Sequence, residues 1–328
     1  MISLERFATK RDQVAPVIYG AEPHLTTDDG VVIGPEVVNG IREFLRQYNQ
    51  LVKAPPHPYY RIDAYFSKGE RGDALDILEV NAAFVDGWGT ALNLARASDI
   101  HLNRDLLRFP KSFVSLDSVY LPELRLFVSE LEHLGIGGNT ICESLSELGA
   151  DESAYVYGRF GGRGQIHYPM DGVRIDNKMN LARFSQQWDP QRASKIRIPK
   201  HFVGCDGLSI EPTLWDDIAK VQRNGFPFEA GPLNVVLKFC DKGGPECAKY
   251  RKSVIVGIPE GKNKYLRKCY ECGTVIAQEY IQPQKFQSDN CQLVILAIGD
   301  EPVTGYVQYS PKNIINDNSV HGPLALIG

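Results

Sequence analysis

The sequence lacks any strong bias of charge. Lys and Arg number 36 against 40 Asp and Glu in 328 residues, a formal net charge of −4. No basic footprint for nucleic acid is present, so binding of DNA or RNA by charge is not expected. No apolar run nears the roughly 18 residues of a membrane span. The best, Leu293 to Ile298, has the length of a strand. The opening MISLERFATKRDQ is charged by its fifth residue and has no apolar core, so a secretory leader is not expected and a cytoplasmic location is. Repeats, low-complexity tracts and heptads are missing, and so are G-x-x-x-x-G-K-[ST], G-x-S-x-G and H-E-x-x-H. Hydrolase readings therefore have no support.

Cysteine is also sparse. Seven is an odd number in a long chain of this character, which argues against a disulfide framework. Cys269 and Cys272 form a C-x-x-C that Cys240 and Cys247 would have to complete as a thiolate metal site. A second C-x-x-C is missing, and a helix ending at Gly273 would place the same two thiols one turn apart for no chemical reason. The histidines at 101, 133, 167, 201 and 321 share no spacing and receive no role.

What is present suits a large folded core: 43% apolar and 23% charged residues. At roughly 150 residues per domain the length suggests about two domains. Helix and strand patterns alternate, as in an α/β or α+β enzyme. Helices are expected at 35–53, 121–134, 178–188 and 264–272, with Asp176 or Asn177 capping the third. Strands are expected at 61–67, 75–84, 233–239, 253–257, 274–281 and 292–298. Weak boundaries fall near residue 100 and near 175–200.

The pair of strands around KGERGDA carries the most chemistry. Strand residues alternate faces, so Arg61 and Asp63 share one face, as do Glu79 and Asn81. A register symmetric about Arg71 sets Asp63 opposite Glu79 and Arg61 opposite Asn81. Ile62, Ala64, Leu78 and Val80 then occupy the other face. Such a face is often only a solvated charge pair. Two acids directly opposite each other repel, however, unless a cation lies between them. Mg²⁺ takes oxygen ligands, commonly one or two carboxylates plus phosphates, and an arginine beside it can neutralise phosphate charge.

Two further stretches are weaker alone. Lys238 ends the apolar strand LNVVL beside Gly243-Gly244, where an ammonium can reach phosphates and loop N–H groups can close over them. A lysine at a strand end is more often merely snorkelling. TVIAQEYI, residues 274–281, is an apolar strand running out towards Glu279, Tyr280 and Ile281; read alone it is an ordinary core strand. The loop YGRFGGRG holds Arg159 and Arg163, which either grip a substrate carboxylate or phosphate or sit on a bare surface loop.

Together these stretches resemble the ATP-grasp superfamily. Arg61, Asp63, Glu79 and Asn81 (R-x-D, then L-E-V-N) are similar to its metal-binding ending. IDNKMNLARF with RIPKHF is similar to its opening, and VVLKF with AQEYI to its central lysine strand and hinge. The likeness covers about 55–100 and 170–328. It implies an α+β fold of two lobes clasping ATP, plus a small α/β subdomain. Lys178 and Lys238 would hold the phosphates, with Gly243 and Gly244 above them. Glu279, Tyr280 and Ile281 would lie along the adenine, and Asp63, Glu79 and Asn81 would hold Mg²⁺. Arg61 and Lys238 would be catalytic, and Arg159 and Arg163 would touch substrate.

The order departs from that pattern, since the metal-binding segments come first here and last in the family. The resemblance therefore implies a circular permutation. Residues 1–100 and 291–328 would share one lobe, 101–174 would form the small subdomain, and 175–290 the other lobe and hinge. Gln292 and Gln308 stand near places where the family commonly carries arginines. The implied activity is ATP-dependent ligation of a small-molecule or peptide carboxylate to an amine, in a chain that admits a homodimer. A small-molecule kinase or a weakly active nucleotide-binding module are the alternatives.

Overall fold

A computed structural model of the chain describes all residues except 17, 20, 21, 24, 68–72, 84, 116, 117, 149–153, 158–169, 205–234, 242–253, 256–262, 313, 314 and 316–318. The expectations for Arg159, Arg163, Gly243, Gly244 and Cys247 fall outside the described residues.

The chain opens with β1 (Ile2–Arg6), the small pair β2 (Ile18–Tyr19) and β3 (Glu22–Pro23), and β4 (Asp29–Ile33). Helix α1 (Pro35–Val52) leads into the hairpin β5 (Tyr59–Ser67) and β6 (Ala74–Asn81), followed by α2 (Trp88–Ala97). Next come β7 (Ser112–Ser115), α3 (Leu121–His133), β8 (Thr140–Cys142), β9 (Ala154–Tyr157), α4 (Met170–Ile175) and α5 (Lys178–Gln187). Short strands β10 (Ile196–Arg197) and β11 (His201–Phe202) precede β12 (Val235–Phe239) and β13 (Val254–Ile255). The last part holds α6 (Asn263–Glu271), β14 (Val275–Glu279), β15 (Lys285–Phe286), β16 (Asp289–Ile298), β17 (Glu301–Ser310) and β18 (Val320–Leu326). The fold is mixed α+β. No described helix is long and apolar enough to cross a membrane.

The described residues form a nine-stranded sheet in the order β1-β4-β18-β17-β16-β5-β6-β10, with β15 added beside β16. Both ends of the chain build it. The late strand β16 pairs with β5, and β18 lies between β17 and β4. Gly34 N donates to the Met1 carbonyl at 2.8 Å, and Ile327 N to the Ile33 carbonyl at 2.9 Å. The two termini thus meet at the end of β4. The sheet is curled: the Ile2 N–H at one edge donates to Asp73 at the tip of the distant hairpin.

Alternation along the strands decides what each face buries. Leu293, Ile295 and Ala297 of β16, with Ile62 and Ala64 of β5, face the apolar stripe of α1. That stripe includes Val37, Ile41, Phe44, Leu45 and Tyr48, at the 3–4 spacing of an amphipathic helix. Phe44 and Tyr48 pack edge-on against Phe184 of α5, joining α5 to this core. The other face, through Val294, Leu296, Ile298 and Tyr306, packs on α2, α3 and the small parallel sheet β8-β7-β9. Helix α2 is buried almost all round, so it has no one-sided period by which the sequence announces it. A second sheet, β11-β14-β12-β13, covers α6 with Val235, Leu237, Phe239, Val275 and Ala277.

Because β18 is an inner strand, truncation after Ser310 should abolish the cooperative thermal unfolding transition, followed by circular dichroism, and not merely trim the protein. Phe44→Ala, at a fully buried position, should cost about 3–5 kcal/mol in denaturant unfolding.

Candidate active site

The hairpin register sets Arg61 opposite Asn81, Ile62 opposite Val80 and Asp63 opposite Glu79, as the period-two reading expects. It then slips: Ala64 pairs with Ile77, so Leu78 is an extra residue on β6. This bulge corrects the expected symmetric register beyond Asp63. Ile77 and Leu75 take the core face in place of Leu78. The displaced Leu78 lines a cleft between the two sheets. Asp76, which the symmetric register would aim into the apolar core, pairs instead with Arg197 at 2.8 Å.

The cleft is lined by Leu78, Glu79 and Val80 of β6, Lys178 and Leu181 of α5, His201 of β11, Lys238 of β12, and Ile276 and Gln278 of β14. Two local features bring the lysines here. Asn177 caps α5 by accepting from Met179 N at 3.0 Å, and Lys178 N donates to the Cys240 carbonyl at 2.9 Å. The helix start is thereby tied to the end of the lysine strand. Lys238 pairs with Ile276, Val236 with Gln278, and His201 with Gln278 across the second sheet. Alternation then turns Lys238, Ile276, Gln278 and His201 to the face opposite α6.

Glu79 is the hub. Its carboxylate lies 2.6 Å from the Lys178 ammonium and 3.7 Å from that of Lys238. Lys238 also donates to the Leu78 carbonyl at 3.0 Å, as does the Gln278 amide at 2.9 Å. Among the described residues β10 pairs with β6 only at Leu75 and Asp76, so beyond them β6 is an edge whose carbonyls are open to the second sheet. Asp63 is held differently. Arg61 contacts both of its oxygens at 3.1 and 3.2 Å, the Asn81 amide reaches it at 3.3 Å, and Arg61 also grips Asp86. Burial works against the Arg61 charge, but Asp63 and Asp86 outweigh it and drive its pKa well up. The cations that separate the two opposed acids in this structure are therefore side chains.

These donors suit the expected groups. Asp63, Glu79 and Asn81 offer the hard oxygen atoms that Mg²⁺ requires, and two buried ammoniums suit phosphate oxygens. Among the described residues no group of three or more His, Cys, Asp or Glu gathers as a metal site, so the cation would rest on two carboxylates, the amide and its phosphates. Of the four cysteines, three are described. Cys269 packs in the core under the second sheet, Cys240 belongs to a separate cluster, and Cys272 is exposed beyond α6.

Glu279, Tyr280 and Ile281 stand just past the cleft lining and are not part of it. Glu279 N donates to the Lys200 carbonyl at 2.7 Å and its side chain accepts from Lys200 N, so β14 ends with that N–H engaged. Sequence reasoning passed over His201, Gln278 and Asp86. The one signal for Gln278 was its place two residues after Ile276 on the face that carries Lys238.

No family model matches this sequence, and no curated protein matches it either. Among solved structures, a glutathione synthetase-like effector from Globodera pallida, in apo form, aligns with a TM-score of 0.48. Identity is 12%, over 89% of this chain and 84% of that one. A protein assigned as a gamma-glutamylcysteine synthetase, from Methylobacillus flagellatus KT, gives 0.44 at 11% identity over 98% and 88%.

His201 makes the site sensitive to acid. Burial, reinforced by Lys238, pushes its pKa down from 6.5 to about 3. The unfolded chain thus takes up this proton near pH 6.5 and the folded chain only near 3, so its stabilising contribution is complete above 6.5 and drains away below. Calorimetric melting temperatures should fall for the wild type as pH is lowered through that window, and fall less for His201→Gln. Equal falls would show that His201 does not titrate in this way.

Proposed function

We propose that the chain is an ATP-dependent ligase that joins a carboxylic acid to an amine through an acyl-phosphate. The observation that carries this reading is the meeting of Lys178, Lys238 and Glu79, from three remote segments, in one cleft. Lys178 and Lys238 would bind the nucleotide phosphates, Glu279, Tyr280 and Ile281 would lie along the adenine, and Asp63, Glu79 and Asn81 would hold Mg²⁺. When bound, Mg²⁺ supplies charge neutralisation on the phosphates. Arg61, fixed between Asp63 and Asp86, would face the charge that develops as a substrate carboxylate oxygen attacks the γ-phosphorus and ADP leaves. The amine nitrogen would then attack the acyl carbon, expelling phosphate and losing a proton. No side-chain nucleophile takes part, so the protein acts by positioning and charge.

In this reading residues 1–100 and 291–328 form one permuted lobe, 101–174 the small subdomain and 175–290 the other lobe; the sheet shared by both chain ends supports it. A weakly active nucleotide-binding module is the second reading. The contact of Gln292 with Gln308 at 3.3 Å favours it, because two amides there carry no charge to neutralise phosphate.

ADP release with acid alone, acid plus amine, or polyol separates these readings. Ligase activity requires amine-dependent turnover. Turnover on polyols alone indicates a kinase, and none with any substrate indicates the module. Glu79→Gln should cut ADP formation by about a hundredfold or more. It should also lower the melting temperature, because two buried ammoniums lose that carboxylate.

A further inference from the structure

Gln278 and His201 belong to neither the phosphate contacts nor the metal contacts assigned above, yet both are buried in the cleft wall. The Gln278 amide nitrogen lies 2.9 Å from the Leu78 carbonyl and 2.9 Å from Nε2 of His201. A primary amide carries two hydrogens on that nitrogen, enough for both contacts. Nε2 of His201 is therefore assigned as the acceptor, which puts the ring proton on the buried Nδ1. The Leu78 carbonyl has two lone pairs. It accepts from Gln278 and, at 3.0 Å, from the Lys238 ammonium.

We propose that Gln278 and His201 are positioning residues for Lys238, holding its ammonium beside Glu79 through the shared Leu78 carbonyl. His201 fixes which way the Gln278 amide faces. Gln278 fixes the Leu78 carbonyl, which spans the two sheets over a sequence separation of 200 residues. Lys238 is then held from two sides, by this carbonyl and by Glu79. A neutral imidazole is needed at position 201, because an imidazolium would lose its acceptor and repel the ammonium. The proposal rests on the reading of Lys238 as a phosphate contact for its use in catalysis, but the positioning itself is open to a test that needs no nucleotide.

The full-length protein is pulsed with an amine-acetylating reagent, and Lys238 and Lys178 are followed by peptide mass spectrometry. Lys178 is the internal reference, since it also pairs with Glu79 but reaches it from α5 and not from the second sheet. In Gln278→Ala, Lys238 should label about fivefold faster than in wild type while Lys178 stays within about twofold, as expected for one lost hydrogen bond. Gln278→Met, which keeps the length without a donor, should do the same and stands in if the alanine variant does not fold. His201→Gln should retain wild-type protection, because its amide oxygen replaces the Nε2 acceptor, and His201→Leu should not. A parallel rise at both lysines means general loosening and overturns the proposal, as does an unchanged Lys238 in a folded Gln278 variant. Calorimetric titration with MgATP is run on the same samples. A wild type that protects Lys238 but binds no nucleotide overturns the nucleotide reading and leaves the positioning standing.

Discussion

The extra residue that β6 carries at Leu78 determines where the two sheets meet. Among the described residues, β6 has no strand neighbour on its outer side beyond Asp76, and such an edge offers carbonyls across a cleft. Here the carbonyl of the bulged residue Leu78 receives Lys238 and Gln278 from the second sheet. The bulge also changes the parity of β6. Glu79 stays on the polar face while Ile77 and Leu75 drop into the core of α1. One inserted residue thus supplies both an apolar underside and a polar bridge.

Around that bridge the electrostatics are tightly constrained. Two carboxylates on adjacent strands would repel at this separation, and burial would raise the cost of both. Each is instead matched by cations: Arg61 on Asp63, and Lys178 with Lys238 on Glu79. Buried ion pairs of this kind contribute little net stability compared with apolar packing, and losing one partner is expensive.

The large sheet imposes its own constraint. Its central strands come from both ends of the chain, so its core closes only when sequence-remote elements have met. Loop-closure entropy has to be met before those contacts form, which slows folding relative to a fold of local pairings. The site inherits this dependence. Glu79 reaches the lysines only after β6 is seated beside β5, itself paired with β16, and after α5 is tied to the end of β12.

The sequence by itself determined the local geometry of the hairpin. Side-chain alternation is a property of any extended strand, so Arg61 had to share a face with Asp63, and Glu79 with Asn81; that the two pairs meet on one face depends on the bulge. It determined α1 and α5 for a related reason, since a one-sided apolar stripe and an Asn cap act within a few residues. The bulge at Leu78 was decided by tertiary structure, because what favours it is a lysine and a glutamine from another sheet. The pairing that gives Gln278 its histidine was decided the same way, across a sequence separation of 77. Helix α2, buried on nearly every side, carries no periodic signal and forms where α3 and the large sheet enclose it. Short-range preferences are written in neighbouring residues. The partners of Glu79 and Leu78 were settled only by which surfaces came together, because hydrogen bonds and ion pairs across a cleft have no counterpart in the local pattern of either strand.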